Sequence, residues 1–321
     1  MGQQDQEKDS RWERDLLEKL ASDALVERRR SRRWGIFFKL LTFAYLVAIL
    51  LLLVPEKWSE QAMTQDEHTA LVELSGVIAP TEKASADNVV TGLRDAFEHA
   101  KTKGVVLRIN SPGGSPVQSS YIHKEILRLR EKYPDIPLYA VVSDICASGG
   151  YYVAAAADEI YVDESSVIGS IGVLMNGFGF VDAMQELGVE RRLLTAGEHK
   201  GILDPFSPLS EFDRRHAAEL LEQIHDQFKD AVRSGRGDRL KGEEDVLFSG
   251  LFWTGEEGIE LGLADAIGSA SQVARDVIGA EKLRDFTKKE DPFQRLADRF
   301  GAALGDAFAR LSGIGQGIQL R

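Results

Sequence analysis

Residues 138–157 constrain the chain most: Leu-Tyr-Ala-Val-Val-Ser-Asp-Ile-Cys-Ala-Ser-Gly-Gly-Tyr-Tyr-Val-Ala-Ala-Ala-Ala. The first five are short, apolar and rich in valine, the pattern of a buried parallel strand. From Gly149 on the stretch is alanine-rich and reads as a buried helix whose small residues allow close packing on a sheet. Ser148 stands at that helix's first turn, where unpaired backbone N–H groups and the helix dipole favour developing negative charge. A hydroxyl there can act as a nucleophile whose oxyanion is caught by neighbouring amides. It can equally be an N-cap, the commonest reason for serine at a helix start. This stretch alone leaves both readings open.

Near the N-terminus, residues 1–33 form a polar tail ending in Arg28, Arg29, Arg30, Arg32 and Arg33. Residues 35–54 follow, with Lys39 as the sole charge, and about 20 apolar residues suffice for a helix to cross a bilayer. Lys39 lies near the arginine end and can snorkel. No small-residue cleavage site follows, and Trp58 suits an interfacial exit, so residues 34–55 read as an uncleaved transmembrane helix. Arginine before the span and none just after it places the N-terminus in the cytoplasm. The expectation is a single-pass protein of the cytoplasmic (inner) membrane with its globular part on the extracytoplasmic side. Residues 56–69 read as a linker.

Beyond the linker, strands alternate with amphipathic helices. Strands are expected at 71–78, 104–109, 138–142, 159–162, 172–175 and 191–195, and helices at 87–101, 118–132 and 211–234. A helix-turn-strand piece is expected at 254–267. This alternation means an α/β domain built of βαβ units around a mostly parallel sheet. No internal repeat is visible, so the chain carries one unit. In such sheets, sites form at the carboxyl ends of strands. Two loops fall there: Ser111-Pro112-Gly113-Gly114 and Cys146-Ala147-Ser148-Gly149. The N–H groups of Gly114 and Gly149 could form an oxyanion hole, although Pro-Gly-Gly is also ordinary turn chemistry.

A nucleophilic serine needs a base. None of the six histidines (His68, His99, His123, His199, His216 and His225) has an evident Asp-oriented setting, although a triad stays possible. The alternative is a lysine that burial holds neutral. Lys200 suits this, in a loop straight after an expected strand and beside Gly201, Ile202 and Leu203. A solvated lysine is the plainer reading.

Five segments occur in order: Asn110-Ser-Pro-Gly-Gly114, Ala147-Ser-Gly-Gly-Tyr-Tyr152, Ile168-Gly-Ser-Ile-Gly-Val173, Gly197-Glu-His-Lys200, and Trp253-Thr-Gly-Glu-Glu257 with Glu260-Leu-Gly-Leu-Ala-Asp265. Together they resemble the S49 family of serine peptidases, of the signal peptide peptidase A type in its short single-unit form, over residues 70–280. The resemblance implies a Clp-protease/crotonase-like α/β fold of repeated ββα units, here preceded by one transmembrane helix. It also implies a Ser-Lys dyad, with Ser148 as nucleophile, Lys200 as general base, Gly114 and Gly149 as oxyanion donors, and Ser170 orienting the lysine. It calls for no cofactor or metal. Implied partners are apolar peptides such as signal peptide remnants, the membrane, and further copies of the chain in a homo-oligomeric ring, an octamer. Serine and lysine of one site would then come from neighbouring protomers. Two residues depart from the pattern: His199 where tyrosine is commoner, and Leu251 where many relatives carry arginine.

Residues 281–321 read as a C-terminal amphipathic tail, with Phe293, Leu296, Phe300, Leu304, Phe308 and Leu311 at helical spacing. A net charge of −12 argues against a nucleic-acid partner. Two other classes compete: a crotonase-type acyl-CoA enzyme, which has no use for the Ser148/Lys200 pair, and a catalytically inactive membrane scaffold, which has no need of it.

Overall fold

The structure, a computed structural model, describes residues 28–30, 32–47 and 66–288. They fall in two units. The first contributes a helix over residues 32–47, whose large apolar side chains, among them Phe37, Leu41 and Phe43, are exposed. Among the described residues no helix is long and apolar enough to cross a membrane. The expected span runs on through residues 48–55, which lie outside the described residues, as do most of the polar tail, most of the linker and residues 289–321.

The second unit, Gln65–Lys289, is numbered here from its first strand. Its strands are β1 (His68–Ser75), β2 (Thr102–Ser111), β3 (Leu138–Ala147), β4 (Glu159–Val162), β5 (Val167–Gly169), β6 (Phe252–Thr254), β7 (Ala266–Ile267) and β8 (Leu283–Asp285). The main helices are α1 (Ala86–Glu98), α2 (Pro116–Lys132), α3 (Gly149–Ala154), α4 (Val181–Glu186), α5 (Glu211–Arg236), α6 (Glu244–Leu247) and α7 (Gly255–Glu260). The strands form one sheet in the order β6-β5-β3-β2-β1-β8, parallel except for the β5/β6 pair. Strand β3 changes partners along its length. Its first half, Tyr139 to Val141, pairs with β4, and its last residues, Ile145 to Ala147, pair with β5. The sheet is thereby split at the end where β3 runs into Ser148.

Alternation along the strands sorts side chains onto two faces. Val72, Leu74, Val105, Leu107, Ile109, Ala140 and Val142 meet one face's helices: Leu93 and Phe97 of α1, Ile122, Ile126 and Leu129 of α2, and Val232 of α5. Ile122, Ile126 and Leu129 are wholly buried, each removing apolar area worth roughly 1.5–3 kcal/mol. Leu71, Val106, Val141 and Tyr161 meet Ala270 and Val273 on the other face. Helix α2 starts where it does because Pro116 fits the first turn and the Ser115 hydroxyl accepts the Gln118 N–H at 3.4 Å.

The expected strands at 172–175 and 191–195 are absent. Residues 172–178 and 190–195 have no strand partner, and an apolar run without a neighbouring edge has nothing to bond its backbone to. From Gly172 to Gln227 no residue is fully buried. Leu174, Phe178, Leu187 and Leu194 are 79%, 81%, 78% and 96% exposed, far more apolar surface than an isolated chain segment normally shows to water. The sheet also reaches past residue 280, since β8 pairs with β1.

His123 lies buried in α2 with its ring edge-on to Tyr152, centroids 5.1 Å apart, and its Nε2 has no partner among the described residues. Burial, with a smaller effect from Lys124, lowers its pKa to about 4. The folded-state value lies below the ordinary value of 6.5, so this residue's contribution is complete above pH 6.5 and is lost as pH falls toward 4. Denaturant unfolding of the wild type should lose on the order of 3 kcal/mol over that window from this group. His123→Leu should remove that part of the slope; an unchanged slope would place the acid sensitivity elsewhere.

Candidate active site

The Ser148 turn is built by the split in the sheet. Ala147 and Gly169 are register partners at the ends of β3 and β5, and the Ser148 N–H donates to the Gly169 carbonyl at 2.8 Å. Ser148 itself has φ 51° and ψ −121°. This is a conformation that L-residues rarely adopt, costing on the order of 1–3 kcal/mol and typical of strained functional turns. Its side chain makes no capping hydrogen bond to α3, so the N-cap explanation of this serine fails. The carbonyl of Ser148 accepts the Tyr152 N–H at 2.9 Å, which ties the turn to the helix. The strain thus carries a half-buried hydroxyl on a strand-to-helix elbow.

The Pro-Gly-Gly loop packs directly against this elbow. An ideal Cβ on Gly113 would lie 2.6 Å from Gly149 N and 2.8 Å from the Ser148 Cβ, and one on Gly149 would lie 3.2 Å from Gly114 N. Gly113 has φ 96°, a region open to glycine but strained for other residues. The Gly113 N–H is taken by the Ser111 hydroxyl at 3.1 Å, and the Gly113 carbonyl accepts the Ile78 N–H at 2.8 Å. The Ser115 N–H goes to the Ile78 carbonyl, leaving the Gly114 N–H unused among the described residues. Gly149 opens α3, where an N–H has no intrahelical partner. Two free donors therefore converge beside Ser148. Cys146, two residues away, is no rival nucleophile, because complete burial pushes its thiol pKa far up.

Ser170 follows Gly169 and so stands next to Ser148 across the β3/β5 pair. It too has a positive φ, 52°, and its N–H donates to the Leu251 carbonyl at 2.6 Å. Lys200 is bonded to neither serine. It is exposed, in a turn closed by its own N–H to the Gly197 carbonyl at 3.2 Å. No hydrogen bond or ion pair among the described residues joins its amine to Ser148 or Ser170. The chain thus assembles Ser148, Gly114, Gly149 and Ser170 and keeps Lys200 on the exposed segment. One neighbour went unread in the sequence: Ser119, which is buried, donates to the Ser115 carbonyl at 3.0 Å and packs against Gly149. A hydroxyl one turn after the Ser115 cap and one turn before the buried Ile122 was the available signal.

Both halves of the fifth sequence segment serve the scaffold. Thr254 and Glu257 form the capping box of α7. Asp265 receives Arg236, whose side chain is 1% exposed, through two hydrogen bonds of 2.7 and 3.0 Å, and accepts the Ile160 N–H at 2.7 Å. Burial works to raise the Asp265 pKa, yet the Arg236 guanidinium and the Ile160 N–H outweigh it and hold the carboxyl ionised.

A strained serine elbow with two glycine amides beside it is the candidate site, and comparison with known proteins names the family. The profile of Peptidase family S49 matches residues 130–284. A putative signal peptide peptidase SppA of Enterococcus faecium is 30% identical over 252 residues, covering 76% of this chain and 72% of that protein. The chain belongs to peptidase family S49. A Na(+)/H(+) antiporter NhaA of Brucella abortus is 43% identical over 187 residues, 58% of this chain, and the chain spans only 25% of that protein's length. Among solved structures, a membrane-bound stomatin-specific protease superposes with a TM-score of 0.42 and 14% identity over 69% of this chain and 98% of its own.

Gly114→Ala should cut kcat by at least about 100-fold, the usual cost of displacing an N–H that would serve as an oxyanion donor, and Gly113→Ala should lower kcat by pushing the Ser148 elbow aside. The Gly113 methyl would collide with the elbow, and the Gly114 methyl would fall on the Ile78 carbonyl. Gly76→Ala is the matched control: its φ is 91° with nothing within 4 Å. That variant should lower Tm while keeping kcat. Equal kcat losses in all three would mean that strain, not the amide geometry, sets the rate.

Proposed function

We propose that the chain is a serine endopeptidase that uses Ser148 and Lys200 as a dyad on apolar peptides. The observation that carries this reading is the strained Ser148 elbow with the free N–H groups of Gly114 and Gly149 beside it. In this mechanism a neutral lysine amine takes the proton from the Ser148 hydroxyl as its oxygen attacks the substrate carbonyl. The two glycine amides bind the oxyanion. The protonated amine then passes its proton to the leaving nitrogen, and water repeats the sequence on the acyl-enzyme. Ser170, beside Ser148, accepts a hydrogen bond from the amine and holds it in line.

Lys200 is exposed and no hydrogen bond among the described residues joins it to Ser148, so in this reading a second copy brings the amine in. The exposed Leu174, Phe178, Leu187 and Leu194 support such an interface, because another protomer would cover them and exclude water around the amine. A closed ring, for which eight copies is our choice, would complete every site identically. Exposed Val117 follows the glycine loop, exposed Val77 precedes Ile78, which bridges to Gly114, and exposed Leu251 and Phe252 lie beside Gly169 and Ser170, which suits an apolar peptide. The arginine-flanked residues 34–55 support a site of action at the cytoplasmic membrane, with the catalytic unit on the extracytoplasmic side. With that assignment goes a Clp-protease/crotonase-like fold, consistent with the parallel sheet and its split at β3.

Ser148→Ala and Lys200→Ala should each abolish peptide hydrolysis, and Lys200→Arg should be equally inactive because guanidinium stays charged. Ser148→Ala removes no capping hydrogen bond, so its Tm should stay close to that of the wild type. Mixed assemblies of Ser148→Ala and Lys200→Ala chains should recover part of the activity through interfaces that pair an intact serine with an intact lysine. No recovery in verified mixed assemblies would reject the shared site, and turnover by pure Ser148→Ala protein would reject the nucleophile.

A further inference from the structure

The Lys200 turn is braced from two sides by its own chain. On one side the Phe180 N–H donates to the Pro205 carbonyl at 2.7 Å, and the Phe180 ring stacks on Phe206 with centroids 5.5 Å apart. Arg191 pairs with Asp204 at 3.2 Å and lies over the Phe206 ring. On the other side the His199 ring lies nearly parallel to Phe212, at 3.9 Å between centroids and 14° between planes. The far side of that aromatic pair carries His216, one turn further along α5, at 5.8 Å and 6° from Phe212. His199 directly precedes Lys200, and its carbonyl accepts the Ile202 N–H at 3.1 Å, so the ring belongs to the turn that bears the amine. Helix α5 is rigidly placed at its other end by the buried Arg236–Asp265 pair.

We infer that His199 and Phe212 are positioning residues: their stacked rings fix the Lys200-bearing turn to the first turn of α5 and so aim the amine. The inference rests on the assignment of Lys200 as the base. A lysine side chain carries about 2 kcal/mol of rotamer freedom, and an amine that must reach a serine on a neighbouring chain gains from a turn that cannot swing. The surroundings explain why a ring is needed here. His199 is half-exposed and its nearest carboxylate, Glu198, is 4.0 Å away, so flat contact with Phe212 is the closest restraint its side chain has. A tyrosine ring would stack equally well. The role falls to ring shape and not to charge.

The test compares steady-state kinetics of the full chain with those of His199→Ala, His199→Tyr, Phe212→Ala, Phe212→Tyr, the double alanine variant and Lys200→Ala. Each alanine single variant should lower kcat about three- to ten-fold, the range expected from losing one aromatic stack, with KM and assembly state unchanged. Both tyrosine variants should restore the rate, and the double variant should be no slower than either single, because the two rings act as one contact. Wild-type kcat in the alanine variants, a change in KM alone, or additive losses in the double variant, with Lys200→Ala inactive, would overturn the positioning role and leave the dyad standing. Turnover by Lys200→Ala would overturn both.

Discussion

The hydrogen bond from the Ser148 N–H to the Gly169 carbonyl is the contact on which the site depends. It forms because β3 leaves β4 and takes up β5 before it ends, so the strand that delivers the serine is paired up to its last residue. With the N–H held on one side and α3 beginning on the other, the backbone at Ser148 has no relaxed conformation available. The φ of 51° follows from those two attachments. The same bond places Ser170 beside Ser148, since both residues follow register partners. Loss of that register would therefore remove the elbow and the neighbouring serine together.

Around this point the molecule divides into a buried part and an exposed part. The sheet, α1, α2 and α3 share one apolar core, and the Pro-Gly-Gly loop joins it through the bonds between Gly113, Ser115 and Ile78. The donors are thus preorganised, the condition under which an oxyanion hole is effective. Residues 172–227 hold no fully buried side chain and carry Lys200. That segment is secured mainly at its exit, where α5 packs Phe228 and Val232 into the core and Arg236 reaches Asp265. The proposed nucleophile thus sits on the core and the proposed base on an exposed segment held by its own ring contacts, an arrangement that suits the proposed completion by a second copy.

Much of this was legible in the sequence, for physical reasons. The helices at 86–98, 116–132 and 211–236 were visible because one face of each is apolar at 3.6-residue spacing. Ser148, Gly114 and Gly149 were visible because a serine between a valine-rich strand and an alanine-rich helix, near a second glycine loop, has few plain explanations. The runs at 172–175 and 191–195 misled because apolarity signals burial without naming what does the burying. The nearby exposed side chains carry the same message. Strand β8 was assigned to the tail since three residues pairing with an edge strand leave no periodic trace. Arg236 carries no sign of burial in the sequence, and only its distant partner Asp265 makes burial of that charge tolerable. The stack of His199 on Phe212 joins residues with no pattern between them.

The most direct measurement of the central claim is covalent labelling of the assembled protein with a serine-directed fluorophosphonate, followed by peptide mapping. The account predicts one adduct, on Ser148, that is absent in Ser148→Ala and strongly reduced in Lys200→Ala and Gly114→Ala. An adduct on another residue, or labelling of Ser148 at the wild-type rate without Lys200, would contradict it.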